Sequence, residues 1–317
     1  MKRLFLIKNP ELFQGKTKIE NNKIYFEGWY FKISNNTFNI SFIPGININE
    51  KEKKAFIQII TPNNSYFINY NFKDFTYSHN PFYIKIGNNY FSKEKIHIDI
   101  NDNKQKINLS GDIKYSNSKN INTNLLNPNI MGPFAYIPFM ECNHAIINMK
   151  SKVNGIININ NDKIIFNDDI GYIEKDWGTS FPKTYIWCQG NNFKNSNASF
   201  MLSIANIPFK ILTFRGLIST LIINDKEYRF ATYNNAKIIK YDITDKFLNI
   251  VLKKSGYTLQ IKSNITNGYK LLAPIKGKME KNIIESITEN ITVTLKKKDK
   301  VIFLDTSTNC GLEIVNK

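Results

Sequence analysis

The chain has 317 residues, a formal net charge of +17, and 42% hydrophobic and 13% aromatic content, which excludes a disordered chain and is long enough for two cores of about 150 residues each. Three widely spaced cysteines (Cys142, Cys188, Cys310) without a CxxC pair indicate neither a disulfide framework nor a zinc site. Leu4–Ile7 is too short for a signal-peptide core, and no stretch approaches the roughly 20 apolar residues of a membrane span, so a cytoplasmic protein is expected.

From Lys23 onward, apolar and polar residues alternate, broken by Asn, Asp, Gly or Pro every eight to twelve residues, the pattern of antiparallel β structure with almost no helix. Examples of the predicted strands are Lys23–Ile33, Phe38–Pro44, Ala55–Thr61, Tyr66–Phe72, Lys106–Tyr115 and Ile164–Ile173. They continue with Tyr185–Gly190, Ala198–Ala205, Leu217–Ile223, Tyr228–Thr232, Phe247–Lys253 and Tyr257–Ser263. Asn-rich turns join them, because Asn tolerates the left-handed backbone of tight hairpins. Leu125–Cys142, with Pro128, Gly132-Pro133 and Pro138 among large apolar residues, cannot be regular strand or helix. It reads either as a lid or pocket wall, or as a plug closing a barrel end.

An internal repeat is visible. Gly28-Trp29-Tyr30-Phe31 leads through Asn35-Asn36 to Phe38–Phe42, as Ile186-Trp187-Cys188-Gln189 leads through Asn191-Asn192 to Ser199–Ser203. The following hairpins correspond too, at an offset near 160 residues, as duplication would leave them. The expected architecture is all-β, with two tandem antiparallel barrels or sandwiches over residues 1–178 and 179–317 and a ligand cavity in or between them.

The basic residues are spread rather than gathered in a stripe, so nucleic acid is not the expected partner. The dense runs Lys51–Lys54 and Lys296–Lys300 read as solvated turns. A weak peripheral attraction to anionic lipid headgroups is the remaining surface expectation. Phosphate loop, GxSxG elbow and HExxH are all missing and the histidines (His79, His97, His144) are scattered, which disfavours nucleotide, serine-hydrolase and metal chemistry; no metal or cofactor is expected.

Three stretches concentrate acids, aromatics and glycine: residues 25–32 (YFEGWYFK), 132–144 (GPF through PFMECNH) and 171–178 (GYIEKDWG). A carboxyl flanked by large apolar groups loses solvation of its charged form and can remain a proton donor near neutral pH, which makes Glu27, Glu141, Glu174 and Asp176 the candidates. Each could instead be a satisfied ion-pair partner, Glu27 with Lys32 and Glu174 with Lys175 being local possibilities. His144 reads as a core hydrogen-bonder or a site residue, and Trp29, Trp177 and Trp187 as core fillers or cation-facing rings.

These three motifs, in this order, resemble the tocopherol cyclase family, which by the same resemblance is grouped with double-lipocalin-like proteins that include carotenoid hydratases. The resemblance implies cofactor-free cyclisation, an isomerisation in which an acid protonates the alkene of a prenylated hydroquinone and the phenol oxygen captures the cation. Among the residues here, the acids themselves and not a family assignment give the expected ranking: Asp176 or Glu174 first as donor, then Glu27, with Glu141 and His144 orienting the phenol. Trp29, Tyr30, Phe134, Tyr136, Phe139, Met140, Trp177, Trp187 and Gln189 would line the substrate. The composition looks bacterial and A/T-rich, so hydration or isomerisation of another isoprenoid fits as well. The alternative is a non-catalytic carrier of an apolar lipid, which needs a pocket but no acid.

Overall fold

The computed structural model describes residues 2–138, 140–209 and 212–315. Two short α-helices, α1 (Lys2–Lys8) and α2 (Lys16–Glu20), precede the strands. Among the described residues everything after them is β structure, turns and short 3-10 segments, in agreement with the period-2 patterning. Among the described residues no helix is long and apolar enough to cross a membrane.

The first sheet contains β1 (Tyr25–Ser34), β2 (Asn39–Ile48), β3 (Lys53–Ile60), β4 (Ser65–Asn71), β5 (Phe75–His79), β6 (Phe82–Ile86), β7 (Asn89–Phe91), β8 (Lys95–Asp102), β9 (Ile107–Lys119), β10 (Cys142–Ile159) and β11 (Asp162–Gly178). Its order is β4-β3-β2-β1-β11-β10-β9-β8-β7-β6-β5. The two outermost strands, β4 and β5, are consecutive in the chain and joined through the 3-10 turn Phe72–Asp74. Gln105, in the β8–β9 turn, both donates to and accepts from the backbone of Phe67 in β4. The sheet is thus barrel-like and nearly closed, which shields its edges.

The second sheet contains β12 (Tyr185–Gly190), β13 (Asn192–Phe193), β14 (Ala198–Phe209), β15 (Leu212–Ile223), β16 (Lys226–Ala231), β17 (Lys237–Ile243), β18 (Phe247–Lys254), β19 (Tyr257–Asn264), β20 (Tyr269–Ile275), β21 (Lys278–Lys297) and β22 (Lys300–Val315). Its path is β16-β15-β14-β12-β22-β21-β19-β18-β17, with β13 on β22 and β20 on β21. The plan of the first sheet recurs: the opening strand pairs with the closing strand (β1 with β11, β12 with β22), and a 3-10 turn, here Thr232–Asn234, joins the two edges. The backbone divides into two compact units, one of Met1–Asn120, Ala135–Phe181 and Leu271–Asn282, the other of Ile121–Phe134, Pro182–Lys270 and Ile283–Lys317.

Each unit has its own apolar core, the first around Trp29, Phe31, Phe42, Phe91 and Ile173, the second around Ile186, Phe200, Phe230, Leu259 and Leu312. Successive strand residues point to opposite faces. On β1 and β11 the core face therefore carries Trp29, Phe31, Ile173, Lys175 and Trp177, while Tyr30, Tyr172, Glu174 and Asp176 lie on the other.

The core face holds a fully buried ion pair, Glu27 with Lys175. Glu27 also accepts from the backbone N–H of Gln14 and Gly15 and from the Tyr25 hydroxyl at 2.8–3.1 Å. The Lys175 ammonium donates to the Pro10 and Leu12 carbonyls at 2.8 and 2.7 Å and sits over the Trp29 and Trp177 rings at 4.7 and 4.9 Å. Trp29 Nε1 reaches the Glu11 carbonyl. The segment between α1 and α2 is held to the sheet by these contacts. Burial draws the Lys175 pKa below its ordinary value, with Glu27 opposing the shift.

Removing one member of a buried pair leaves the other charge uncompensated, at about 3–5 kcal/mol. Lys175→Met is accordingly expected to lower urea-unfolding stability by about that amount, and the Lys175→Met, Glu27→Gln double variant to lose less than the sum of the single changes. A Lys175→Met midpoint equal to wild type would rule out the anchoring role.

Candidate active site

The three motifs, far apart in sequence, lie on neighbouring strands. Residues 25–32 are on β1, 172–178 on β11, and 142–144 open β10. The register aligns them: Gly28 and His144 flank Asp176, Tyr30 and Ile146 flank Glu174, and Phe26 and Cys142 flank Gly178. Gly178 is what lets β10 come this close. Its φ is +156°, and a Cβ there would stand 2.0 Å from the Glu141 carbonyl oxygen, so only glycine fits.

On the face turned away from the core, His144 stands between two carboxylates. Its Nδ1 is 2.9 Å from Asp176 Oδ1 and its Nε2 is 3.5 Å from Glu174 Oε2. Tyr172 donates its hydroxyl to the same Glu174 oxygen at 2.5 Å. Tyr172 meets Tyr30 edge to face, with ring centroids 6.5 Å apart, and Ser41 donates to the Tyr30 hydroxyl. Glu174, Tyr172 and Tyr30 are buried, whereas the Asp176 side chain keeps 25% exposure. Burial, reinforced by the charge of Glu174, pushes the Tyr172 phenol well above its ordinary pKa, so it stays a donor. Burial also raises the Cys142 thiol, with Asp176 at 3.9 Å adding to the shift.

One imidazole between two carboxylates, one of them held by a phenol, is a network that can store a proton and present it to a reactant. His144, Glu174 and Asp176 also offer three ligand atoms all within 4.8 Å of one another.

The remaining candidates distribute differently. Glu27, Trp29 and Trp177 lie on the core side of the same strands, and Glu27 pairs with Lys175 rather than Lys32. Lys175 cannot serve as the local partner of Glu174, because adjacent strand residues face opposite sides. Glu141 is exposed, and its backbone carbonyl accepts from the N–H of Thr179. Phe134 packs on Phe214 and Tyr233 within the second unit. Tyr136, in the first unit, accepts from Arg3 through its carbonyl, and Met140 is half-buried just before β10. Phe139 lies outside the described residues. Trp187 and Gln189 are buried on β12, facing away from the second core, with the Trp187 ring against Gly311 and Gln189 donating to Asn191. Tyr172 was missed as a site residue, although Tyr-x-Glu-x-Asp at period two places all three side chains on one face.

The thiol gives a readout of the cluster that needs no substrate. Cys142 is expected to alkylate more slowly at mildly alkaline pH than a free thiol, and Asp176→Asn to accelerate it by lowering its pKa. An unchanged alkylation rate, followed at Cys142 by peptide mass mapping, would contradict the coupling.

A model of the tocopherol cyclase-like family matches residues 122–315, more than half of the chain and inclusive of the second and third motifs. Comparison with curated proteins finds no match. Among solved structures, kievitone hydratase from Nectria haematococca is similar at 12% identity and a TM-score of 0.53, covering 96% of this chain and 93% of that one. A protein assigned as an AttH from Nitrosomonas europaea is similar at 10% identity and a TM-score of 0.53, covering 96% and 97%. At such identity these two structures speak to the fold.

Proposed function

The chain belongs to the tocopherol cyclase-like family, and from that premise we propose an acid-catalysed enzyme of the cyclase or hydratase kind, acting on an apolar substrate with a prenyl-type alkene. The observation that carries the reading is the His144–Glu174–Asp176–Tyr172 network, set on the face of the sheet that the core does not use. A carrier requires an apolar cavity and has no use for this network.

In the proposed step Glu174, in its protonated form, delivers its proton to the less substituted alkene carbon. The alkene π pair forms the new C–H bond and a tertiary cation results. A phenol oxygen of the same molecule captures the cation in a cyclase, or a water oxygen does so in a hydratase. The proton released from that oxygen returns to the network through His144, so Glu174 is restored and no external oxidant or reductant is consumed. Asp176 orients His144, and Tyr172 fixes the Glu174 carboxyl and keeps it aimed. The nearby Tyr30 ring offers a face on which positive charge is stabilised. Glu27 is assigned to anchoring instead of proton transfer, since backbone and side-chain donors surround its carboxylate.

The test is conversion of a panel of prenylated hydroquinones, and of prenylated phenols in the presence of water. General acid catalysis is worth about 10²–10⁴-fold, so Glu174→Gln should lose turnover by that factor while binding is retained. Tyr172→Phe and Asp176→Asn are expected to lose about tenfold each, the scale of one hydrogen bond. Substrate binding without turnover in wild type would favour the carrier, and Glu174→Gln turning over at the wild-type rate would remove Glu174 as donor.

A further inference from the structure

One end of the second sheet is built from three two-residue hairpin turns, between Ile223 and Lys226, Lys254 and Tyr257, and Lys297 and Lys300. Asn224, Asp225, Ser255, Gly256 and Lys298 adopt the left-handed backbone such turns require. Contacts across the turns bring them together. Lys226 lies over Tyr228, Tyr228 meets Tyr257 with ring centroids 5.5 Å apart, Lys297 lies over Tyr257, and Lys298 N–H donates to the Gly256 carbonyl.

This end is strongly basic. Lys226, Lys253, Lys296, Lys297, Lys298 and Lys300 are exposed on it, against the exposed acids Asp225 and Asp299. It is also apolar. The β21–β22 register slips between Leu295–Phe303 and Lys296–Val301, a bulge that adds a residue on β22 and turns Val301 and Ile302 outward together. Val301, Ile302 and Leu304 are 47%, 40% and 62% exposed. Single exposed aliphatics are ordinary, but a cluster of them rimmed by lysines, with tyrosines at the base, matches the chemistry of a bilayer interface, where headgroups take the charge and the acyl boundary takes the aliphatic chains.

We propose that this end of the second unit docks on an anionic lipid surface, Lys296–Lys298 and Lys300 meeting the headgroups and Val301, Ile302 and Leu304 entering the interface. The Lys296–Lys300 run is then a contact element and not only a solvated turn. The exposed aliphatics favour a membrane over nucleic acid, because the tyrosine rings at this end are covered by lysines and by each other instead of being open to stack on bases. The inference holds whether or not the acid network turns over a substrate.

The test is co-sedimentation of the full chain with vesicles of phosphatidylcholine alone or mixed equally with phosphatidylglycerol, at low and high salt. Binding is expected to the mixed vesicles only, and to weaken with salt. The triple variant Lys296→Glu, Lys297→Glu, Lys298→Glu, whose fold is checked by circular dichroism, should bind roughly 100-fold more weakly or worse. Ile302→Ser with Leu304→Ser should weaken binding while leaving its salt dependence in place. Equal binding to neutral vesicles, no effect of the lysine reversals, or displacement from vesicles by duplex DNA at lower concentration than by competing lipid would each overturn the proposal.

Discussion

A glutamate and a lysine shut away from water remain charged only if partners replace the solvent each has lost. The Glu27–Lys175 pair does this by gathering the backbone of residues 10–15, a tyrosine hydroxyl and two indole rings around itself. Those contacts fix the pairing of β1 with β11 in one register. A slip of one residue would drive the charges out of their pocket and exchange the two faces of the strands. Because the faces alternate, locking Lys175 inward also locks Glu174 and Asp176 outward. The interaction that holds the strands therefore also aims the acids.

The same strand pair thus separates the core anchor from the acid network residue by residue. Ile173, Lys175 and Trp177 belong to the core side; Tyr172, Glu174 and Asp176 belong to the opposite side, which carries the acid network. β10 completes the arrangement, since Gly178 admits its backbone and brings His144 opposite Asp176. In the second unit the corresponding opening and closing strands place Trp187 opposite Glu313, whose carboxylate accepts from the Tyr185 hydroxyl at 2.6 Å, with buried Glu285 opposite Glu313 on the next strand. The architectural plan is repeated there with different chemistry on the outer face.

Much of the fold was readable because alternation is a local signal. Tyr185–Gly190 coincides with its expected strand, and the strands Phe247–Lys254 and Tyr257–Asn264 each run one residue beyond the expected span. The stretch from Leu125 to Glu141 holds no strand or α-helix among its described residues, as its prolines require, and Cys142 already begins β10. Phe82–Ile86 and Asn89–Phe91 are too short to establish a period, whereas the long strands Cys142–Ile159, Lys278–Lys297 and Lys300–Val315 were not named although length was no obstacle. The helices α1 and α2 were also not anticipated, their lengths of 7 and 5 residues being too short for a helical period. The motifs mark segments that the fold brings onto neighbouring strands, but not how their acids are partnered. Composition makes Glu27 and Glu174 look alike, each with a tyrosine two residues away donating to it, and only the partner supplied from another strand separates them: an ammonium for one, an imidazole for the other.

The central claim is that this network hands a proton to carbon. The direct measurement is mass spectrometry of the product formed in heavy water from a prenylated phenol or hydroquinone. The account predicts one non-exchangeable deuterium per product molecule, on the carbon next to the new C–O bond. A product without carbon-bound deuterium would mean that the bond is made by another route and that the network serves a different purpose.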